Sequence, residues 1–452
     1  MLSHGGLRNL NYALGLFELE LLYYDHRSAY VQTTTINFKK DPDSLIALIS
    51  CMNQFNNYQR WGYALIIDIP SRDSFYNRVY NKSHVRREPN VVKGLFNALK
   101  PKPNNNVVPT LGDIVSYQHA LIGRGTCVVH IGHAAVLPGV IWNTDGWKVV
   151  MKLSFSPVTR TRECDIMQGI IDSAGNNRDI LNHFPEIIHL ETIVWDDAGL
   201  QVWLTQYIDE LFAFKYERRK VEILSMDELH PITELTATQA LAPMIRDVFT
   251  CYRWVYQVAH MMHRDISLNN LMYKTVGDIV HGVLADFDLA VKVGREDRAS
   301  MSKQRTGTKP YMAGELLKPV PPKHMYRHDL ESLFYVIVVL TTIYHEGQII
   351  EEKHPIKDWF HAGSATLSQI KKAFFTEPIP WPTLHFERMR RWTGQLRILF
   401  SNGYRAKADH QQAVDDALLE SIPAPPAFED ETFDGLINFA KFAKILDINV
   451  EA

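Results

Sequence analysis

One ordered series of side chains constrains this chain more than anything else in it. His263-Arg264-Asp265-Ile266-Ser267-Leu268-Asn269-Asn270 places a carboxamide five residues after a carboxylate. A short hairpin's length downstream, Leu284-Ala285-Asp286-Phe287-Asp288 adds a second carboxylate, Asp286. The layout suits phosphoryl transfer. One Asp sits beside an incoming hydroxyl, and an Asn and a second Asp hold the metal ions that bridge nucleotide phosphates. In these roles Asp265 orients and deprotonates the hydroxyl, and Asn270 and Asp286 ligate Mg²⁺, a hard ion that prefers oxygen donors.

Features upstream fit the same chemistry. Lys152 ends the apolar strand Val149-Val150-Met151-Lys152, and a buried ammonium needs a partner. Nucleotide phosphates and a helix glutamate would supply two. Glu163 is the best glutamate, because it opens a run with Ile166, Met167, Ile170 and Ile171 at helical spacing. The alternative for Lys152 is a strand-end lysine whose head reaches solvent. Leu121 to Val128 is a glycine-rich hairpin in which Gly123, Gly125 and Thr126 would cradle phosphates with backbone amides. G-x-G alone also fits an ordinary turn, and Val128 stands where a third glycine is common.

Composition excludes several classes. With 452 residues and a net charge of -3, the chain has no overall basic field to suit nucleic acid or an anionic membrane. The basic run Arg218-Arg219-Lys220 alternates with acids and reads as a solvated helix or loop face. None of the 4 cysteines is spaced as a metal pair, and no secretory signal is evident, which points to a cytoplasmic or nuclear protein. The most apolar run, Leu333 to Tyr344, is shorter than the roughly 20 residues a membrane span needs and reads as a buried helix.

In chain order, strands are expected over 16–24 and 30–38, with a turn at Asp25-His26-Arg27-Ser28 and a helix opening at Asp43-Ser44. Pro101 to Asn106 reads as a boundary loop. Ile187 to Val194 and Leu200 to Ile208 read as paired strands, the second leading to a hinge where Thr205 to Ile208 would face an adenine. A charged connector follows. A helix over 238–260 has apolar positions Leu241, Ile245, Val248, Phe249, Tyr252, Val255 and Val258. Asp329 is expected to cap the apolar helix that follows it. Helices are expected over 346–375 and 386–400, with Trp359, Leu367, Ile370 and Phe374 in the core and a break at Pro378 to Pro382. Ile422 to Ala427 reads as a linker before a short helical tail, Thr432 to Leu446.

H-R-D-I-S-x-N-N at 263–270, D-F-D-L-A at 286–290, R-T-G-T-x-P-Y-M-A-x-E-L at 305–316 and H-D-L-E-S-L-F-Y at 328–335 together resemble the fungal-type protein kinase family. Tyr24 to Ser28, Asp358-Trp359, Lys371-Lys372 and Glu431 to Leu436 are similar to it as well. The resemblance implies an α+β bilobal protein-kinase fold, with a β-rich N-lobe over 111–208 and a mainly helical C-lobe over 209–400. An α/β extension (1–110) would precede it and a short helical tail (401–452) would follow. It implies ATP and Mg²⁺ as cofactors, a protein substrate, and serine/threonine transfer. Phe287 would pack under the catalytic segment, Arg264 would pair with a phosphorylated loop over 289–308, and the Asp329 position would also hold the backbone of the H-R-D loop.

Two departures stand out. Ser267 sits where such kinases place a lysine on the γ-phosphate, and Asp288 replaces the glycine of D-F-G. They leave two alternatives open: a small-molecule phosphotransferase with a kinase-like fold, and a nucleotide-binding pseudokinase scaffold.

Overall fold

The computed structural model describes residues 10–14, 18–24, 30–37, 39–53, 110–117, 126–132, 149–194, 219–235, 238–294, 307–345, 348–350, 356–377, 380 and 382–449. The chain is a mixture of helix and sheet, of α+β class. It divides into two compact units: residues 1–162 with 186–228, and residues 163–185 with 229–452.

The first unit holds two antiparallel sheets. Strands β1 (Leu10–Leu14), β2 (Glu18–Tyr24) and β3 (Tyr30–Asn37) form one, followed by helix α1 (Pro42–Asn53). β2, β3 and α1 match the expected elements. β1 was not anticipated, because five residues are too few to display a period. The expected turn at 25–28 lies outside the described residues.

The other sheet comprises β4 (Thr110–Tyr117), β5 (Cys127–Gly132), β6 (Val149–Pro157), β7 (Ile187–Val194) and β8 (Arg219–Asp227), in the spatial order β4-β5-β6-β8-β7. β6 is buried along its whole length. Its alternation puts Val149, Met151, Leu153 and Phe155 on one face, and Val150, Lys152, Ser154 and Ser156 on the other. Lys152 stands opposite Val128 on β5 and Leu224 on β8.

β8 corrects two expectations. The stretch read as a charged connector supplies the strand between β6 and β7, and residues 209–228 fall in the first unit rather than with the helical part. The predicted partner of β7, Leu200 to Ile208, lies outside the described residues. Lys220 is no solvated side chain. It is buried, with its Nζ 2.9 Å from Glu222 and donating to the Arg160 carbonyl at 2.8 Å. Alternating charges resemble an exposed surface until they pair within a buried strand, as Lys220 and Glu222 do two positions apart, where each offsets the other's desolvation.

The second unit is organised on helix α5 (Tyr326–Ile343), whose 18 residues are all buried. No helix among the described residues is long and apolar enough to cross a membrane. Earlier helices are α2 (Glu163–Ala174), α3 (Arg178–Leu181) and α4 (Thr238–Gln257). α4 buries Leu241, Ile245, Val248, Phe249, Tyr252 and Val255 as its period predicts. The helix ends at Gln257, before Val258, which is exposed. Helices α6 (Asp358–His361) and α7 (Ser364–Phe374) bury Trp359, Leu367 and Phe374, whereas Ile370 is only half-buried.

The C-terminal segment is not an appended tail. Helix α8 runs from Arg390 to Glu420, well past the expected end at 400. Gly403 lies inside this helix, where the Phe433 ring occupies the space a Cβ would need. Phe433, Ile437, Phe442 and Leu446 are fully buried, and helix α9 (Phe439–Ile445) stacks Phe439 on Tyr326 and Phe442 on Phe249. Glu431 accepts a hydrogen bond from the Tyr256 hydroxyl at 2.7 Å. The Glu431 to Leu436 stretch thus closes the core of the second unit. Phe433→Ala should cost about 3–5 kcal/mol in urea unfolding. Leu384→Ala, at an exposed site, should stay within about 0.5 kcal/mol of the parent.

A buried ionic cluster joins this segment to α5. Arg327 donates to Glu315 at 2.6 Å and to the Asp430 carbonyl at 2.6 Å, and its guanidinium lies 3.9 Å from the Phe433 ring centre. Lys407 bridges Glu315 and Asp430 at 2.8 and 2.6 Å. Burial alone would raise the Glu315 carboxyl, but the His328 hydrogen bond and the charges of Arg327 and Lys407 hold it well below the carboxylate range. Burial lowers the His328 pKa from 6.5 to about 3. The unfolded chain therefore takes up a proton that the folded chain refuses. Stability falls as pH drops from 6.5 toward 3, by about 1.4 kcal/mol per pH unit from this group. His328→Asn should flatten that slope in urea unfolding below pH 6.5.

Candidate active site

The hairpin of β11 (Leu271–Val276) and β12 (Ile279–Leu284) carries the site; between β8 and it lie the two short strands β9 (His230–Pro231) and β10 (Met261–Met262). Register pairs Leu271 with Leu284, so Asn270 enters the hairpin where Ala285 leaves it. The Ala285 N–H donates to the Asn270 carbonyl at 2.9 Å. Asn270 and Asp286 are thereby fixed at one end of the hairpin.

Side chains draw Asp265 to the same end. Asn270 Nδ2 donates to the Asp265 carbonyl at 2.8 Å. His263 is fully buried; its Nε2–H donates to the Ala285 carbonyl at 3.1 Å, while its Nδ1 accepts from the Asp265 N–H at 3.3 Å. A carbonyl only accepts and an amide only donates, so these contacts set the neutral tautomer. The carboxylate of Asp265 accepts both the N–H and the hydroxyl of Thr308 at 2.9 Å through Oδ1. Phe287 is fully buried with its ring edge-on to His263 at 4.7 Å, under the catalytic segment as expected.

Arg264 and Asp286 both have left-handed backbones, with φ of 68 and 61°. Each such residue costs of order 1–3 kcal/mol unless its surroundings over-determine it. Asp329 supplies that support at Arg264. It is fully buried, and its Oδ2 accepts the Arg264 N–H at 3.1 Å and the Tyr252 hydroxyl at 2.8 Å. Its Oδ1 pairs with His324 at 2.7 Å. Burial pushes this carboxyl up, but His324 and the Arg264 amide outweigh it and hold the pKa low. The expected N-cap role is overturned: α5 begins at Tyr326, so Asp329 lies inside the helix, and Met325 is the cap. The second expected role, holding the H-R-D backbone, is the one observed.

Glu163 lies at the start of α2, where its Oε1 accepts the Phe287 N–H at 3.1 Å. With Asp286 and Asp288 it forms a group whose ligand atoms all lie within 4.8 Å of one another. Neither that group nor the Glu163 bond to Phe287 was legible in the spacing, since 124 residues separate the two. Lys152 is buried on β6 in the first unit, and Thr126 precedes β5. Gly123, Gly125 and the 295–306 stretch lie outside the described residues, as does Leu200 to Ile208. Ser267 is buried, and its carbonyl accepts the Asn270 N–H at 3.0 Å.

Residues 215–341 match the model of a family described as fungal protein kinase, the family its motifs resemble. The match spans Asp265, Asn270, Asp286, Glu315 and Asp329. Lys152 and Glu163 precede it. No curated protein matches the chain. Asp329→Asn should destabilise the chain by about 1–3 kcal/mol, by disturbing buried hydrogen bonds, and should speed hydrogen exchange at the Arg264 amide.

Proposed function

We propose that this chain is an ATP-dependent protein kinase of serine/threonine type with a bilobal kinase fold. The observation that carries the reading is the hydrogen-bonded end of the β11–β12 hairpin. There His263, Asn270 and Ala285 tie Asp265 to the segment that bears Asp286.

Each residue's role follows from its chemistry. Asp265, oriented by Thr308, accepts the proton of a substrate hydroxyl as that oxygen bonds to the γ-phosphorus of ATP and the bond from that phosphorus to the departing ADP breaks. Asn270 has its amide nitrogen donating to the Asp265 carbonyl, which supports a role for its carboxamide oxygen in holding a cation. Asp286 and Asp288, close to Glu163, form an all-oxygen donor set that suits Mg²⁺. Mg²⁺ held there would offset the charge of the nucleotide phosphates. Lys152 is assigned to the phosphates, with Thr126, Gly123 and Gly125 as the backbone cradle. Arg264 is assigned to the loop over 289–308.

A second reading, a nucleotide-binding scaffold with little transfer, is favoured by Ser267. It is buried and uncharged where a lysine would face the γ-phosphate. Autophosphorylation with labelled ATP separates the readings. The parent should incorporate label, and Lys152→Ala and Asp265→Asn should each lose it by at least about 10²-fold. Equal label in all three would overturn the kinase reading. Mg-ATP at a hundred times its Kd should add about 2.7 kcal/mol of stability. A shift without transfer would favour the scaffold.

A further inference from the structure

His183, Asp247 and His281 form a second cluster, outside the site described above. Each offers one ligand atom, and these atoms lie within 4.8 Å of one another. The three come from the loop after α3, from α4 and from β12. All are half-buried, so the group is reachable from solvent while its walls are ordered.

What marks the cluster is how its donors are oriented. His183 Nδ1 lies 2.7 Å from the Gly282 carbonyl. A carbonyl only accepts, so Nδ1 carries the proton and Nε2 carries the lone pair. Asp247 Oδ2 accepts the N–H of the same Gly282 at 2.8 Å, which orients the carboxylate. The N–H and C=O of one glycine thus aim an imidazole and a carboxylate together. Such outer hydrogen bonds fix tautomer and ring orientation in metal sites. Gly282 permits the arrangement, because a Cβ there would meet the Asp247 Cβ at 2.9 Å. The loop is also anchored by backbone: the Leu284 N–H donates to the His183 carbonyl at 3.1 Å, and Lys274 Nζ to the Phe184 carbonyl at 2.6 Å. The His183 and His281 rings meet edge-on, 5.7 Å apart.

We propose that His183, Asp247 and His281 bind a divalent transition metal, Zn²⁺ foremost, which fastens the loop after α3 to α4 and β12. Two imidazoles and a carboxylate suit Zn²⁺ and leave a fourth position for water. The same set is poor for Mg²⁺, which favours oxygen ligands. The bound ion cross-links three segments distant in sequence on the outside of the hairpin that carries Asn270 and Asp286. The proposal holds whether or not the chain transfers phosphate.

Calorimetric titration of the metal-stripped full chain with ZnCl₂ tests it. One equivalent should bind and raise the melting temperature, while MgCl₂ should not compete. His281→Asn and Asp247→Asn should each weaken Zn²⁺ binding by more than about tenfold. Asp286→Asn should leave it unchanged. No Zn²⁺ binding by the parent would overturn the proposal. So would a loss confined to Asp286→Asn, which would place the ion on the acidic group with Glu163 and Asp288. A measurement on the parent alone guards against misfolded variants. Zn²⁺ should protect His183 and His281 from diethyl pyrocarbonate, mapped by mass spectrometry, and equal labelling with and without Zn²⁺ would refute the assignment.

Discussion

The buried carboxylate of Asp329 is the contact on which the second unit turns. It has no exposure to water, so its charge survives because three donors meet it: the Tyr252 hydroxyl, the Arg264 amide and His324. Those partners belong to α4, to the H-R-D loop and to the approach to α5. One charge thus ties the core helices to the loop that carries Asp265. It also meets the cost of the left-handed backbone at Arg264, which directs the chain into Asp265.

Buried charge recurs through this unit with the same logic. Glu315 is satisfied by Arg327, His328 and Lys407. Glu331 accepts from Gly314, Tyr335 and Tyr404. Lys371 is fully buried, donating to the Pro310 and Met312 carbonyls with its ammonium 3.9 Å from the Tyr335 ring centre. Burial lowers its pKa, and Glu331 opposes that shift. All three groups hold the 310–316 segment, which follows the Thr308 that orients Asp265. Lys371 and Glu331 fix this segment by its backbone, through the Pro310 and Met312 carbonyls and the Gly314 amide.

How much of the site could be read beforehand depended on distance along the chain. Asp265, Asn270 and Asp286 lie within one loop and hairpin, so their spacing carried their arrangement. Glu163 was found as a helix start, but its bond to Phe287 was not, because nothing local encodes a contact across that separation. Asp329 was read as a cap on the strength of its residue type, and its actual role needed α4 and the H-R-D loop in place. The metal cluster of His183, Asp247 and His281 has no sequence motif at all, since its orientation rests on the N–H and the C=O of one glycine.

The linear sequence by itself determined the period of α4, the apolar run that becomes α5, and the order of polar residues around the hairpin. These depend on neighbours a few positions apart, which a chain specifies directly. Tertiary structure alone decided that the charged stretch over 219–227 pairs as a central strand, that α8 continues through Gly403, and that the final segment seals the core. In each case the local signal pointed the other way. It lost because burial against a distant partner, the Arg160 carbonyl for Lys220 or Phe433 for Gly403, outweighs the small free energies of intrinsic propensity.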